Sequence, residues 1–143
     1  MDHTLCDFSA SYLEHKEDFP QVEYPHSLPG FFSGLEPLPN AVEVFRWLKN
    51  HNDIDLYILT APSVRNPLSY TEKRLWVEEQ LGIDSAYKLI ITPNKGLSIG
   101  QYLIDDNIEG KGQENFQGQV LQFGSNEFPN WQSIKVYFEE ILA

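Results

Sequence analysis

Short apolar runs along the chain predict four β-strands. Residues 55–59 are apolar on both alternating faces and run into Thr60, as expected of a central parallel strand that ends in a loop. Similar runs predict three further strands, at residues 88–92, 102–104 and 120–123.

Two other segments carry the hydrophobic spacing of amphipathic helices. In each, apolar side chains recur so that they lie on one face of a helix, which predicts that both helices pack on a sheet. The two sets are Ala41, Val44, Phe45 and Leu48, and Trp131, Ile134, Phe138 and Ile141.

A third helix is predicted between the first two strands, with marked ends. Ser69 is placed to cap its amino end and Glu72 three residues later completes a capping box, while Gly82 ends it. The apolar side of this helix is expected to include Tyr70, Val77 and Leu81.

The alternation of helices and short strands predicts one α/β domain over residues 1–143, built on a doubly wound parallel sheet with ligands at the carboxyl ends of the strands. Residues 9–30, rich in acidic and aromatic side chains and broken by Pro20 and Pro25, fit this scheme poorly. We interpret them as a short helical or irregular cap over one edge of the site. The polar, glycine-rich residues 110–118 are expected to form a mobile surface loop.

Composition limits the possible partners. Hydrophobic residues make up 41% of the chain, which is enough for a folded core, and 10 basic against 21 acidic residues give a net charge of −11. Duplex nucleic acid and anionic membranes are therefore unfavourable partners, and an anionic ligand must be held by a few local cations, amides or a metal ion. Cys6 is the only cysteine, and no apolar run is long enough to span a membrane, so a cytoplasmic location is expected.

Polar residues at the predicted strand ends indicate a candidate chemistry. In chain order these are Asp2, Thr60 and the pair Asp105 and Asp106, with Lys73 in the first turns of the capped helix. Phosphoryl transfer through a carboxylate nucleophile needs this set, because a lysine and Mg²⁺ neutralise the phosphate while a hydroxyl orients it. Carboxylates also suit a hard cation such as Mg²⁺.

Simpler interpretations exist for each residue. Thr60 is also typical of the polar end of a buried strand, and Lys73 alone resembles a solvated helix lysine that pairs with Glu72 or Glu78. The two adjacent aspartates also suit a turn, although neighbouring carboxylates favour a counter-cation.

The order of these motifs resembles that of the haloacid dehalogenase superfamily, and within it the 5'(3')-deoxyribonucleotidase branch (cytosolic type C 5' nucleotidases). The superfamily opens with Asp-x-Asp-x-[Thr/Val]-[Leu/Val], then places Ser or Thr, a Lys and an acidic pair in that order. The narrower likeness lies in residues 29–32, 35–39, 72–77, 91–95 and 131–135.

This resemblance implies a Mg²⁺-dependent phosphomonoester hydrolase that acts on a deoxynucleoside monophosphate through an aspartyl phosphate. The residue roles that it implies are catalysis by Asp2, Thr60 and Lys73, substrate binding by Phe8, Phe31, Phe32, Thr60 and Lys95, and metal binding by Asp2, Asp105 and Asp106.

The first motif departs from the family pattern. Asp2 matches the second aspartate, the general acid, so the nucleophile is expected immediately before Met1, together with the strand that leads into it. We expect a late start of a longer protein, with exposed sheet edges that could pair with another copy as a homodimer. His3 stands where the family usually carries Gly.

Two other functions share part of this pattern. One is a catalytically inactive relative that binds phosphate or a nucleotide. The other is a signalling receiver domain, which uses similar residues, but there the acidic pair comes first and the lysine last, the reverse of the order here.

Overall fold

The computed structural model describes residues 1–143, and its four short strands are all parallel to their partners. β1 (Ile58–Thr60) pairs with β2 (Leu89–Ile91), and β3 (Tyr102–Asp105) pairs with β4 (Gln119–Gln122). The prediction of an α/β fold with parallel strands is confirmed. The strands form two separate pairs instead of the single doubly wound sheet expected, so β1 and β3 each have one unpaired edge.

Helices of different lengths surround the strand pairs. Short 3₁₀ turns occur at Pro25–Ser27, Lys95–Leu97 and Gln113–Asn115. None of the helices is both long and apolar enough to cross a membrane. The α-helices are α1 (Phe8–Asp18), α2 (Ala41–Lys49), α3 (Ser69–Leu81), α4 (Ile83–Ala86) and α5 (Trp131–Ile141).

The predicted faces of α2 and α5 form much of the core. All four apolar residues predicted for α2 are buried, which confirms that face. In α5, Trp131, Ile134 and Phe138 are buried, but Ile141 is half-exposed at the side of an apolar groove between the strand pairs. The prediction that Ile141 packs in the core is therefore wrong, because the groove beside it is open.

The predicted capping box of α3 does not form, although the helix ends at Gly82 (φ 93°) as expected. Ser69 is buried, and its hydroxyl bonds to the backbone of Ser63, with both distances 3.1 Å. Glu72 accepts N–H groups from Gly30 and Phe32 instead of the helix end. Tertiary partners therefore replace the local cap.

The buried face of α3 also differs from the prediction. Tyr70 is 45% exposed, whereas Glu72, Lys73 and Trp76 are buried with Val77 and Leu81. The inward face of this helix is therefore partly charged, and its charged groups are held by hydrogen bonds rather than by water.

The segment predicted as a cap contains α1 and the 3₁₀ turn at Pro25–Ser27. The Asp7 carboxylate caps α1 by accepting the Ala10 N–H at 3.0 Å. No residue of α1 is buried. The chain then turns at Gly30, whose φ of 85° favours glycine, and enters the core at Phe31.

The loop at residues 110–118 is not a simple surface loop. Gln113 at its centre is 2% exposed, and Lys95 N–H donates to the Lys111 carbonyl at 2.7 Å. A Cβ on Gly112 would lie 2.0 Å from the Asn94 side chain, so this close approach requires glycine. The prediction of a surface loop is wrong at Gln113 because its amide is needed inside, as described below.

Cys6 lies in the core beside the first turn of the chain. Its side chain is fully buried, and its backbone forms bridges with Asp2 and with Pro37. Burial raises the pKa of the Cys6 thiol well above its usual range.

An apolar groove of about 570 Å³ separates the two strand pairs. Its sides include residues 56–59, which lead into and form β1, and residues 100–104, which lead into and form β3. Met1 and residues of α2 and α5 also line it. The unpaired strand edges that the sequence led us to expect therefore face this space.

Candidate functional site

The predicted site residues come from four parts of the fold. Thr60 ends β1, Asp105 ends β3, Lys73 lies on α3, and Asp2 lies in the first turn of the chain. Carboxyl ends of parallel strands are where α/β proteins bind ligands.

Lys73 is the centre of this arrangement. Its side chain is completely buried, and its ammonium donates to Asp2 Oδ2 at 2.9 Å, Thr60 Oγ1 at 3.0 Å and the Ala61 carbonyl at 2.5 Å. The Nζ also lies 4.9 Å from the centre of the Phe32 ring. A buried ammonium is stable only with such partners, so Lys73 is not the solvated helix lysine of the simpler interpretation.

Asp2 lies opposite Lys73 on a tight turn. The Met1 carbonyl accepts N–H groups from Thr4, Leu5 and Cys6, and His3 adopts a φ of 59°, in the left-handed region that favours glycine. The Asp2 side chain is 25% exposed, and its Oδ1 is buried without a hydrogen-bond partner. This carboxylate therefore has an oxygen available for a ligand.

Asp105 is held by a second buried lysine, Lys95, which forms an ion pair with its Oδ2. Its Oδ1 accepts Asn107 N–H at 3.0 Å and Gln113 Nε2–H at 3.2 Å. Burial works to raise the pKa of Asp105, but the Lys95 charge and the hydrogen bonds outweigh burial and hold that pKa below its ordinary value. Both carboxylate oxygens are therefore engaged inside the protein.

Asp106 faces the first turn of the chain. Its Oδ1 accepts the Thr4 hydroxyl at 3.3 Å and its Oδ2 accepts Asn107 Nδ2–H at 3.1 Å. Burial, together with the nearby negative charge of Asp105, raises the pKa of the Asp106 carboxyl. A cation at this point would reverse that effect.

The carboxylates fit a magnesium ion only in part. The structure contains no group of three or more His, Cys, Asp or Glu side chains arranged to hold a metal ion. Asp106, with its raised pKa, has the property of a ligand that lacks a cation, and Asp2 keeps one oxygen without a partner. Asp105 does not share these properties while Lys95 and Gln113 occupy its oxygens.

The predicted substrate-binding residues have different surroundings. Phe31 and Phe32 are 0% and 1% exposed, so their rings present no surface to a ligand here and pack in the core. Phe8 is partly buried and packs 5.1 Å from the Phe31 ring and 4.8 Å from His3. Lys95 faces Asp105.

Sequence reasoning missed three residues that hold the site together. Glu72 ties the Gly30–Phe32 turn to α3, Gln113 supports Asp105, and Thr4 donates to Asp106. Their partners lie 40, 8 and 102 residues away in the chain. For Gln113, the only signal in the sequence was its position within a glycine-rich run. Glu72 also fits a local capping motif, so its sequence context pointed to a different role.

A family model and individual relatives of this chain both carry the name of a deoxyribonucleotidase or deoxy 5' nucleotidase. The family model described as "5' nucleotidase, deoxy (Pyrimidine), cytosolic type C protein" matches residues 2–133. A protein of Vibrio phage KVP40 named "Putative 5'(3')-deoxyribonucleotidase" is 36% identical over 140 residues, which cover 96% of this chain and 80% of the relative.

Two mammalian relatives are similar over 80% of this chain. The human "5'(3')-deoxyribonucleotidase, cytosolic type" is 33% identical over 114 residues, and the mouse "5'(3')-deoxyribonucleotidase, mitochondrial" is 36% identical over 143 residues. The match covers 51% of the human protein and 65% of the mouse protein.

Proposed function

This chain belongs to the family of 5' nucleotidase, deoxy (pyrimidine), cytosolic type C proteins, and from that membership we propose that it is a phosphomonoester hydrolase acting on deoxynucleoside monophosphates. The observation that supports this most directly is the buried ammonium of Lys73 at the end of β1, held beside Thr60.

Phosphate binding is the first role of these residues. In a chain with a net charge of −11, a phosphate needs a local cation, and Lys73 provides one that is already oriented by three oxygen acceptors. The Thr60 hydroxyl lies 3.0 Å from that ammonium and can orient the same phosphate oxygens.

Asp2 is proposed to move protons. From the resemblance of the first motif, we propose that the attacking carboxylate belongs to the residue directly before Met1 in a longer form of the protein. An oxygen of the attacking carboxylate forms a bond to phosphorus while the bond from phosphorus to the nucleoside oxygen breaks. Asp2 gives its proton to the leaving nucleoside oxygen. Water then attacks the aspartyl phosphate and returns a proton to Asp2, which releases inorganic phosphate and restores both carboxyl groups.

The backbone carbonyl of Asp2 and the carboxylate of Asp106 are the proposed holders of Mg²⁺, and Asp105, the first residue of the acidic pair, completes the set that the family resemblance implies. A bound magnesium ion would neutralise negative charge on the phosphate oxygens. The raised pKa of the Asp106 carboxyl supports this assignment, and the unpartnered Oδ1 of Asp2 remains free to carry the proton.

The alternative is a relative that binds phosphate or a nucleotide without turnover. Lys73 and Thr60 would suffice to bind a phosphate group, because holding the phosphate does not require the attacking carboxylate. Turnover separates the two functions.

The test is Mg²⁺-dependent phosphate release from a panel of deoxynucleoside monophosphates. The chain is compared with a version extended by its natural upstream coding sequence, and both are made as Lys73→Met and, as a control, Lys135→Met on α5. We expect release only from the extended form, lost in Lys73→Met and unchanged in Lys135→Met. Binding without release in both forms would favour the inactive relative, and activity that survives Lys73→Met would contradict the assigned role of Lys73.

A further inference from the structure

We propose that Trp131, the first residue of α5, is a positioning residue for the acidic pair Asp105 and Asp106 at the end of β3. Trp131 lies in residues 131–135, one of the segments that carry the family resemblance, and the proposed chemistry gives it no role. This inference rests on the proposed function, because it concerns residues that are proposed to hold Mg²⁺.

The first link joins Trp131 to Asp106 through Thr4. Trp131 is buried, and its indole N–H donates to the Thr4 carbonyl at 2.7 Å. Thr4 is buried as well, and its hydroxyl donates to Asp106 Oδ1 at 3.3 Å. Thr4 therefore accepts a hydrogen bond from α5 and donates one to the acidic pair, so the position of the indole sets the position of this donor.

The second link joins Trp131 to Asp105 through Phe123, the residue that directly follows β4. The centres of the Phe123 and Trp131 rings lie 5.4 Å apart, and the Phe123 N–H donates to the Asp105 carbonyl at 2.8 Å. The indole therefore contacts both segments of the chain that bond to the acidic pair, one on the side of Asp106 and the other on the side of Asp105.

Trp131 is itself held firmly at the start of α5. The Asn130 side chain accepts Ser133 N–H at 3.0 Å, and the Ser133 hydroxyl accepts Asn130 N–H at 3.3 Å, so a capping box closes the first turn. Ile134 and Phe138 anchor the same helix in the core. Groups that hydrogen-bond to metal ligands from behind fix the orientation of those ligands, and Thr4, held by a rigid indole, has this position.

Trp76 on α3 makes the same kind of hydrogen bond at a site that is not linked to the acidic pair. It is fully buried, and its indole N–H donates to the Leu35 carbonyl at 2.7 Å. Replacing either tryptophan by phenylalanine keeps an aromatic ring and removes one buried N–H donor. Trp76→Phe is therefore the matched control for Trp131→Phe, because both variants lose the same interaction with a backbone carbonyl.

The first experiment measures amide hydrogen exchange in the chain of 143 residues without added metal. Leu5 N–H donates to the Met1 carbonyl at 2.8 Å, within the turn that carries Thr4. We expect this amide to exchange about tenfold faster in Trp131→Phe than in Trp76→Phe, because only the first variant releases the turn. Equal rates in the two variants would show that Trp131 contributes only to global stability, and would overturn the proposal.

The second experiment measures the affinity for Mg²⁺ by titration calorimetry, in the form extended by the natural upstream sequence. Thr4→Val keeps the shape of the side chain but removes the hydroxyl, and both this variant and Trp131→Phe should bind Mg²⁺ about tenfold more weakly than the parent. The double variant should be no weaker than either single one, because both changes act through Thr4. Thr4→Ser, which keeps the hydroxyl, and Trp76→Phe should bind like the parent.

Two outcomes of the titration would contradict the proposal, and they differ in what they leave standing. Unchanged Mg²⁺ affinity in both Trp131→Phe and Thr4→Val would overturn the positioning role and leave the proposed function in place. A parent protein that binds no Mg²⁺ would overturn the magnesium assignment of the proposed function and this inference with it.

Discussion

The regions around Lys73 and Lys95 use the same pair of charges in different ways. Both lysines are buried near a strand end, and each forms an ion pair with an aspartate. Asp105 is 3% exposed, and both of its oxygens are engaged by Lys95, Asn107 and Gln113. Asp2 is 25% exposed and keeps one oxygen without a partner.

The difference separates a structural ion pair from one that is prepared for a ligand. A closed, fully hydrogen-bonded pair stabilises the fold but has no free group to offer. An ammonium whose partners are a hydroxyl, a carbonyl and a partly exposed carboxylate can exchange one of them for a phosphate. We therefore propose that Lys73 takes part in the chemistry and that Lys95 supports the acidic pair.

The largest expected effect is on stability when the closed pair is broken. Lys95→Met leaves Asp105 as a buried charge without its cation and should lower the free energy of unfolding by about 3–5 kcal/mol. Lys73→Met should cost less, because Asp2 can still reach water. Urea unfolding of both variants measures this, and an equal loss in both would remove the distinction between the two regions.

A smaller loss of stability is expected when the hydrogen bond from Gln113 to Asp105 is removed. Gln113→Leu removes the Nε2–H donor to Asp105 and the acceptor of Lys111 N–H, which should cost about 1–3 kcal/mol. Gln117→Leu, at an exposed glutamine of the same loop whose side chain bonds only to Asn115, is the control and should cost little. If both substitutions cost the same, Gln113 is a surface residue in solution.

The turn that carries Asp2 should be stabilised by glycine. His3→Gly relieves a φ of 59° and should raise the free energy of unfolding by about 0.5 kcal/mol, after the entropy cost of glycine is subtracted. His51→Gly, at a position without positive φ, should lower it. A loss of stability in His3→Gly would mean that the contact of the His3 ring with Phe8 matters more than backbone strain.

The smallest effect is a difference in pH dependence between the adjacent aspartates. The raised pKa of Asp106 means that its charged form destabilises the fold at neutral pH, and this penalty disappears as pH falls through that pKa. The lowered pKa of Asp105 has the opposite sign, because its stabilisation is present above the ordinary aspartate pKa and is lost in acid.

Thermal unfolding from pH 7 to pH 3 measures this difference. Asp106→Asn should be more stable than the parent chain at pH 7, with the gap closing in acid, and added Mg²⁺ should narrow the gap at pH 7 by stabilising the parent. A constant gap across this range would contradict the raised pKa of Asp106.

Local patterns predicted the elements better than they predicted the contacts. The faces of α2 and α5, apart from Ile141, follow from hydrophobic spacing, and Thr60, Lys73 and Asp2 meet as the order of motifs suggests. The capping-box prediction failed because the Glu72 carboxylate accepts the N–H groups of Gly30 and Phe32, which lie 42 and 40 residues away. A rule based on neighbouring residues does not include such distant partners. Gln113 was missed because its partner Asp105 lies at the end of β3, 8 residues away and outside the loop that carries Gln113.

The buried thiol of Cys6 can serve as an internal probe of local opening. A thiol with a raised pKa and no exposed surface reacts with an alkylating reagent only when its surroundings open. Since its backbone bridges to Asp2, the rate of labelling reports how often the turn that carries this carboxylate comes apart. The single cysteine of the sequence therefore allows the opening of the turn that carries Asp2 to be followed by thiol labelling without an added probe.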